Sequence, residues 1–192
     1  MVSRTQSMCI GVRGPPGDAN LFESWAGVDV KLADLGMGAS CDWSCWAGKT
    51  GEYHTDLPSS SALRAPEACI GAGWGKPADI WSVACLAYEL SMGVSLIRVN
   101  CDAYAVPFYQ AFHFGNLPMN MLQRGQHSSH FYNEDGSLKM EFERRVSVEE
   151  MVRRRPPLHA DLFIDFLKCA FALDPDQRPT TRELLEHEWL QH

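Results

Sequence analysis

Apolar and polar residues alternate over residues 28–32 (VDVKL). This period of two predicts a short strand, because successive side chains of a strand point to opposite faces. Residues 1–27 are rich in Gly, Pro and Ser and show no sustained period, which predicts an irregular tail. Residues 37 to about 63 also lack a period, and a loop of that length inside a compact domain is usually functional.

The segment "PADIWSVACLAYELSMG" predicts a helix over residues 77–92, with Pro77 in its first turn and Gly93 where it stops. Its apolar residues occupy most of the circumference, so we expect a central helix that is buried on nearly all sides. Helical spacing also predicts a second helix at about residues 160–173.

A capping box of the T-x-x-E type, Thr180 and Glu183, predicts a third helix that ends near His192. The stretch over residues 94–158 is less regular. Within it, "AVPFYQAFHFG" predicts a short helix and "FYNEDGSL" predicts a turn-centred hairpin or loop.

Composition favours one intracellular globular domain. The chain has 192 residues, and 45% of them are hydrophobic, which is enough for a core. No run approaches the roughly 18 apolar residues of a membrane span, and no signal-peptide core is visible, so we expect a cytoplasmic or nuclear protein without a membrane partner. The formal net charge of −7 argues against nucleic-acid binding.

The seven cysteines favour free thiols, since an odd number without a secretion signal does not indicate a disulfide framework. Cys41 and Cys45, with His54 downstream, have a spacing that offers three metal ligands. A fourth ligand is missing, so a zinc or cysteine-based redox protein is a minor alternative.

Several motifs follow one another along the chain in this order: Asp34-Leu35-Gly36, a long loop, Ala65-Pro66-Glu67, "ADIWSVACLAYEL" and "DPDQRPTTRELLEHEWL". In this order the chain resembles the C-terminal lobe of a eukaryotic protein kinase. The resemblance implies a mainly α fold, a partial kinase-like C-lobe with a short β-strand region at the N-terminus. With "NLPMNMLQRGQHSSHFYNEDGSLK", the chain looks most like the serine/threonine kinases of Arg/Ser-rich splicing factors.

The resemblance also implies a division of the chain. After the tail (1–27), a partial kinase domain covers residues 28–192. Its parts are the strand with Asp-Leu-Gly (28–36), the activation segment (34–67), the central helix (77–92), an insert with helices (94–158) and terminal helices (159–192).

By this resemblance Asp34 is a Mg²⁺ ligand for bound ATP, and Gly36 lets the backbone turn into the activation segment. Taken without the other motifs, the same residues would be an ordinary turn at the end of a strand. The resemblance pairs Glu67 with Arg178 in a buried ion pair. Asp79 would brace the backbone of the catalytic loop, with a plain helix cap as the alternative.

Residues 59–64 take the place of the kinase loop that receives the substrate residue next to the phospho-acceptor. The candidates there are Ser61, Ala62, Leu63 and Arg64, and Leu63 departs from the tyrosine that kinases commonly have. The implied partners are therefore a protein substrate, with one rich in Arg and Ser as the candidate, or the missing N-lobe of a kinase.

No catalytic residue can be assigned, because nothing before Asp34 matches a glycine-rich lid, a strand lysine or the H-R-D-x-x-x-x-N loop. The triplet His54-Thr55-Asp56 is rejected, since it follows Asp34 and lacks the required Lys and Asn. We expect a truncated C-lobe that is inactive alone and leaves part of its central helix exposed, or else a non-catalytic binding or scaffold fragment.

Overall fold

The structure, a computed structural model, describes residues 59–97 and 103–191. These residues belong to one compact unit. They are mainly helical and include one isolated antiparallel bridge, between Tyr132 and Leu138, but no sheet. The predicted mainly α fold class is confirmed. The strand predicted over residues 28–36 lies outside the described residues.

Eight α-helices are found in the described part of the chain. In chain order they are α1 (Pro66–Cys69), α2 (Lys76–Met92), α3 (Val106–Phe114), α4 (Met119–Arg124), α5 (Ser128–Phe131), α6 (Val148–Arg154), α7 (Ala160–Ala170) and α8 (Thr181–Leu185). Single 3-10 turns cover Ser61–Leu63, Ala103–Ala105, Pro175–Gln177 and Glu188–Gln191.

Helix α2 begins and ends where its sequence signals lie. Gly75 precedes it, and Pro77 occupies its first turn, where the missing N–H has no intrahelical partner to lose. At the other end Gly93 adopts φ 70°, and its N–H donates to the carbonyl of Glu89 at 2.8 Å. This left-handed conformation suits glycine and ends the helix.

The main core forms around Trp81 of α2, which is fully buried. Its ring contacts Phe114 at a centroid distance of 4.9 Å and Phe171 at 4.8 Å. Helix α7 packs on α2 and contributes apolar residues at helical spacing, including Phe163 and Phe166, so its apolar face is turned toward the core.

The opposite face of α2 is exposed. Val83 is 44% exposed, Leu90 is 58% exposed, and Val94 just beyond the helix is 55% exposed. The prediction that α2 is buried on nearly all sides is therefore wrong. Helix α7 and the turn at Ser61–Leu63 pack on its other sides, whereas no element of the described residues covers this one. The expected apolar patch is present on this face.

A second, smaller core lies beneath helices α3 to α5, which belong to the insert (residues 94–158). Its buried members are Ile70, Ala72, Ala111, Leu117, Met121, Leu122, Phe131, Tyr132 and Leu138. Two backbone hydrogen bonds join the insert to the chain after α1. His127 N–H donates to the carbonyl of Ile70 at 2.8 Å and Gln126 N–H to that of Gly71 at 3.3 Å.

Helix α8 has the predicted capping box. The Glu183 N–H donates to Thr180 Oγ1 at 3.3 Å, and the Thr180 N–H donates to the Glu183 carboxylate at 2.7 Å. The helix ends at Leu185, and a separate 3-10 turn covers Glu188–Gln191. The prediction of one helix that ends near His192 is thus wrong, because a capping box specifies where a helix starts and not how long it runs.

Candidate functional site

Glu67 and Arg178 form a buried bidentate ion pair. Arg178 Nη1 donates to Glu67 Oε1 at 2.7 Å, and Nη2 donates to Oε2 at 2.8 Å. The two side chains are 1% and 0% exposed. Glu67 lies in the first turn of α1, where a carboxylate also faces the positive end of the helix. The planar fork of arginine matches a carboxylate in this way, and lysine does not.

Arg178 also donates to three backbone carbonyls, which come from two parts of the chain. Its Nε donates to Ala172 at 2.8 Å, Nη1 to Pro77 at 2.9 Å and Nη2 to Leu173 at 3.4 Å. The guanidinium lies 5.1 Å from the centroid of the Trp81 ring, within cation–π range. One arginine therefore joins the start of α2, the chain after α7 and α1, which is an architectural task.

The residues that the resemblance places against substrate form a short ordered turn. Ser61–Leu63 make one 3-10 turn, closed by the Leu63 N–H donating to the Ser60 carbonyl at 3.0 Å. Ser82 of α2 donates its hydroxyl to the Leu63 carbonyl at 2.9 Å. The turn is thereby held against the central helix, with Ala62 and Ser61 only partly buried.

Arg64 follows this turn and is 8% exposed. Its guanidinium donates to the Ser59 carbonyl at 3.1 Å, back across the turn. Its own carbonyl accepts a hydrogen bond from Nε2 of Gln110 at 2.7 Å. Burial raises the pKa of the Cys69 thiol, at the end of α1, to about 12.

Asp79 lies in the first turn of α2 and has no hydrogen-bond or ion-pair partner among the described residues. The alternative that it caps this helix is wrong, because Gly75 is the cap residue and no side chain of the described residues caps the helix. The side chain is exposed, yet desolvation by its surroundings raises the pKa of the Asp79 carboxyl. Within residues 59–97 and 103–191 it therefore lies unpaired, at one end of the exposed apolar face of α2.

The predicted Mg²⁺ and ATP residues, Asp34 and Gly36, lie outside the described residues, as do Cys41, Cys45 and His54. Over residues 59–97 and 103–191, no three or more His, Cys, Asp or Glu side chains come together in a way that could hold a metal ion. No helix in that part of the chain is long and apolar enough to span a membrane.

A family model of the protein kinase domain matches residues 18–190. The chain belongs to the protein kinase family. The match covers the predicted motifs from Asp-Leu-Gly to the last helix, and so the family that the order of motifs indicated is confirmed.

Relatives come from more than one group of kinases. The chain is 31% identical over 185 residues to the serine/threonine-protein kinase spk-1 of Caenorhabditis elegans, a match of 92% of this chain and 18% of that protein. It is 30% identical to the serine/threonine-protein kinase SKY1 of Saccharomyces cerevisiae, over 85% of this chain and 22% of that protein. It is also 30% identical to human cyclin-dependent kinase-like 2, over 90% of this chain and 32% of that protein.

A solved kinase domain has the same fold over most of this chain. The crystal structure of the PF14_0431 kinase domain matches with a TM-score of 0.57 and 28% identity, covering 73% of this chain and 43% of that one. The chain therefore spans less than half of that kinase domain and between 18% and 32% of the lengths of these three relatives.

Sequence reasoning missed the side chains that hold the turn at Ser61–Leu63. Gln110 was not singled out, although it is the one amide in the otherwise apolar and aromatic sequence of α3, "VPFYQAFHF". That isolation was the available signal, because a buried amide needs hydrogen-bond partners. Ser82 gave no comparable signal, since a serine within a helix is commonly solvated or bonded to its own helix.

Proposed function

We propose that this chain is the substrate-facing lower part of a serine/threonine protein kinase and that it does not transfer phosphoryl groups by itself. The observation that carries the proposal is the buried Glu67–Arg178 pair. It anchors the chain shortly after the ordered turn at Ser61–Leu63. The anchored turn supports the proposal of a binding surface for a protein chain, and no segment of the 192 residues matches a catalytic loop.

Phosphoryl transfer needs positioned charges more than covalent chemistry from the protein. ATP supplies the phosphoryl group, and Mg²⁺ neutralises charge on the phosphates. In this chain Asp34 is the carboxylate that would bind that ion, and Gly36 would let the backbone turn away after it. Residues 61–64 would receive the substrate chain. The aspartate that orients the substrate hydroxyl has to come from another segment.

The activity test uses ATP and Mg²⁺ with a peptide rich in Arg and Ser, the substrate class suggested by the resemblance to kinases of splicing factors. We expect the chain alone to give no turnover above that of Asp34→Ala. We expect turnover to appear when the upstream part of the SKY1 kinase domain is added, and to be lost in Asp34→Ala. Turnover by the chain alone that Asp34→Ala abolishes would contradict the proposal.

The exposed face of α2 supports the idea that another part of a kinase domain covers this chain. Val83 and Leu90 lie on this face beside the unpaired carboxylate of Asp79. An apolar surface next to an acceptor without a donor suits a segment that brings apolar side chains and free N–H groups. The partner we propose is the upstream part of the kinase domain.

Matched substitutions on two helices test this surface. Leu90→Gln should leave the free energy of unfolding of the isolated chain within about 0.5 kcal/mol, because the side chain is already exposed. It should weaken binding of the upstream SKY1 part, measured by calorimetry. Leu185→Gln makes the same change at a residue of α8 that is 62% exposed and should leave binding unchanged. Equal effects of the two variants on binding would exclude the α2 face.

A second candidate is a kinase-like scaffold that binds a protein without catalysis. Its support is that the ion pair and both cores form within the described residues, independently of Asp34. The two candidates differ in their dependence on nucleotide. A scaffold should bind its partner equally well with and without ATP and Mg²⁺, and Asp34→Ala should not change that affinity.

A further inference from the structure

Gln110 occupies an unusual place for an amide. It lies in the middle of α3, is 2% exposed and has the buried Ala111 beside it. An amide removed from water without hydrogen bonds is strongly destabilising, so a buried glutamine is retained where its hydrogen bonds are made. The position of this side chain is therefore set by its partners and not by apolar packing alone.

The hydrogen-bond partner lies near the end of the predicted activation segment. The Gln110 amide donates to the carbonyl of Arg64 at 2.7 Å, directly after the turn at Ser61–Leu63. Helix α1 also packs against α3. One side chain of the insert thus holds the chain just before the anchored Glu67.

We propose that Gln110 is a positioning residue that latches the substrate-facing turn to helix α3. The Ser82 hydroxyl also holds the turn, through the Leu63 carbonyl, and that hydrogen bond comes from the central helix. Loss of the Gln110 bond should free the segment around Arg64 while the core around α2 stays intact. Only the role of the turn in substrate binding rests on the proposed function.

Two free cysteines make this latch measurable. Cys69 is partly exposed at the end of α1, which packs against α3, whereas Cys85 lies in the main core and is 2% exposed. Burial raises the pKa of both thiols, so both react slowly with an alkylating reagent, and loss of the packing around either thiol should speed its labelling. Labelling at Cys69 reports local opening near the turn, and labelling at Cys85 reports opening of the core.

The experiment compares Gln110→Met with the unmodified chain under native conditions. Methionine is similarly long and unbranched, fills the site and cannot donate a hydrogen bond. Labelling at each cysteine is followed by peptide mapping in a mass spectrometer. We expect the rate at Cys69 to rise about tenfold, equivalent to about 1.4 kcal/mol, and the rate at Cys85 to stay unchanged. Gln123→Met, the same change at an exposed residue of α4, should alter neither rate.

An unchanged rate at Cys69 in Gln110→Met would overturn the proposal. A parallel rise at both cysteines would also overturn it, because Gln110 would then contribute only to global stability. If Gln110→Met does not fold, Gln110→Asn is used, since it keeps an amide but is too short to reach the Arg64 carbonyl; the same local rise is expected. Failure of the unmodified chain to bind an Arg/Ser peptide would instead refute the substrate role proposed above, because labelling requires no peptide.

Discussion

Replacement of Arg178 by methionine should be among the most destabilising single changes in this chain. The substitution keeps a long unbranched stem and removes the charge and all donors. Glu67 then holds a carboxylate that is 1% exposed and has lost both of its arginine hydrogen bonds. The carbonyls of Ala172 and Pro77 lose a donor at the same time.

Breaking a buried pair by removal of one partner destabilises a protein by about 3–5 kcal/mol, because the other charge is stranded. A whole domain is stable by only about 5–15 kcal/mol. We therefore expect Arg178→Met to lower the free energy of unfolding by at least about 3 kcal/mol. Glu67→Gln should be milder, because Arg178 keeps its backbone carbonyls and its contact with the Trp81 ring.

Urea-induced unfolding, followed by tryptophan fluorescence, measures the effect as a shift of the midpoint at constant slope. The double variant Glu67→Met/Arg178→Met should be more stable than the sum of the single variants implies, since no charge is left buried. Arg153→Met provides a matched control. Arg153 pairs with Glu149 on the surface, its side chain is 55% exposed, and its loss should change stability by about 1 kcal/mol or less.

The reasoning would be refuted if Arg178→Met and Arg153→Met destabilised the chain equally. Additive effects of the two single substitutions in the double variant would refute it as well. Either result would mean that the close geometry of the pair contributes little beyond two separate side chains.

Three further predictions concern local features. Thr180→Ala should lower stability by about 1 kcal/mol through loss of the capping box, whereas Thr181→Ala, at an exposed neighbour, should be nearly neutral in the same urea assay. Burial lowers the pKa of His113, so stability should fall as the pH drops below about 6.5; His113→Asn, which can still donate to the same backbone carbonyl but cannot titrate, should show a shallower loss between about pH 7 and 5. Gly125→Ala should lower the melting temperature more than Gly93→Ala, because the new methyl at Gly125 would lie 2.9 Å from the buried Ile70. At Gly93 the methyl would meet open space, and the only cost is the strain of φ 70° for a residue other than glycine. Equal shifts in circular dichroism melts would contradict this.

Much of the local structure was predictable from sequence because its causes are local. Pro77 and Gly93 mark the ends of α2 through their own backbone geometry, and the capping box of Thr180 and Glu183 spans a single turn. The order of the motifs indicated the protein kinase family, and the pairing of Glu67 with Arg178 followed from that resemblance and from no local rule.

The tertiary structure decided which side chains meet. Glu67 and Arg178 are 111 positions apart, and Gln110 and Arg64 are 46 apart, so no window of the sequence contains either pair. It also decided which face of α2 remains exposed, since periodicity identifies apolar positions but not the elements that cover them. Propensity, capping and backbone restriction act over a few residues and can be read along a chain, whereas burial and hydrogen-bond partnership depend on segments that only folding brings together.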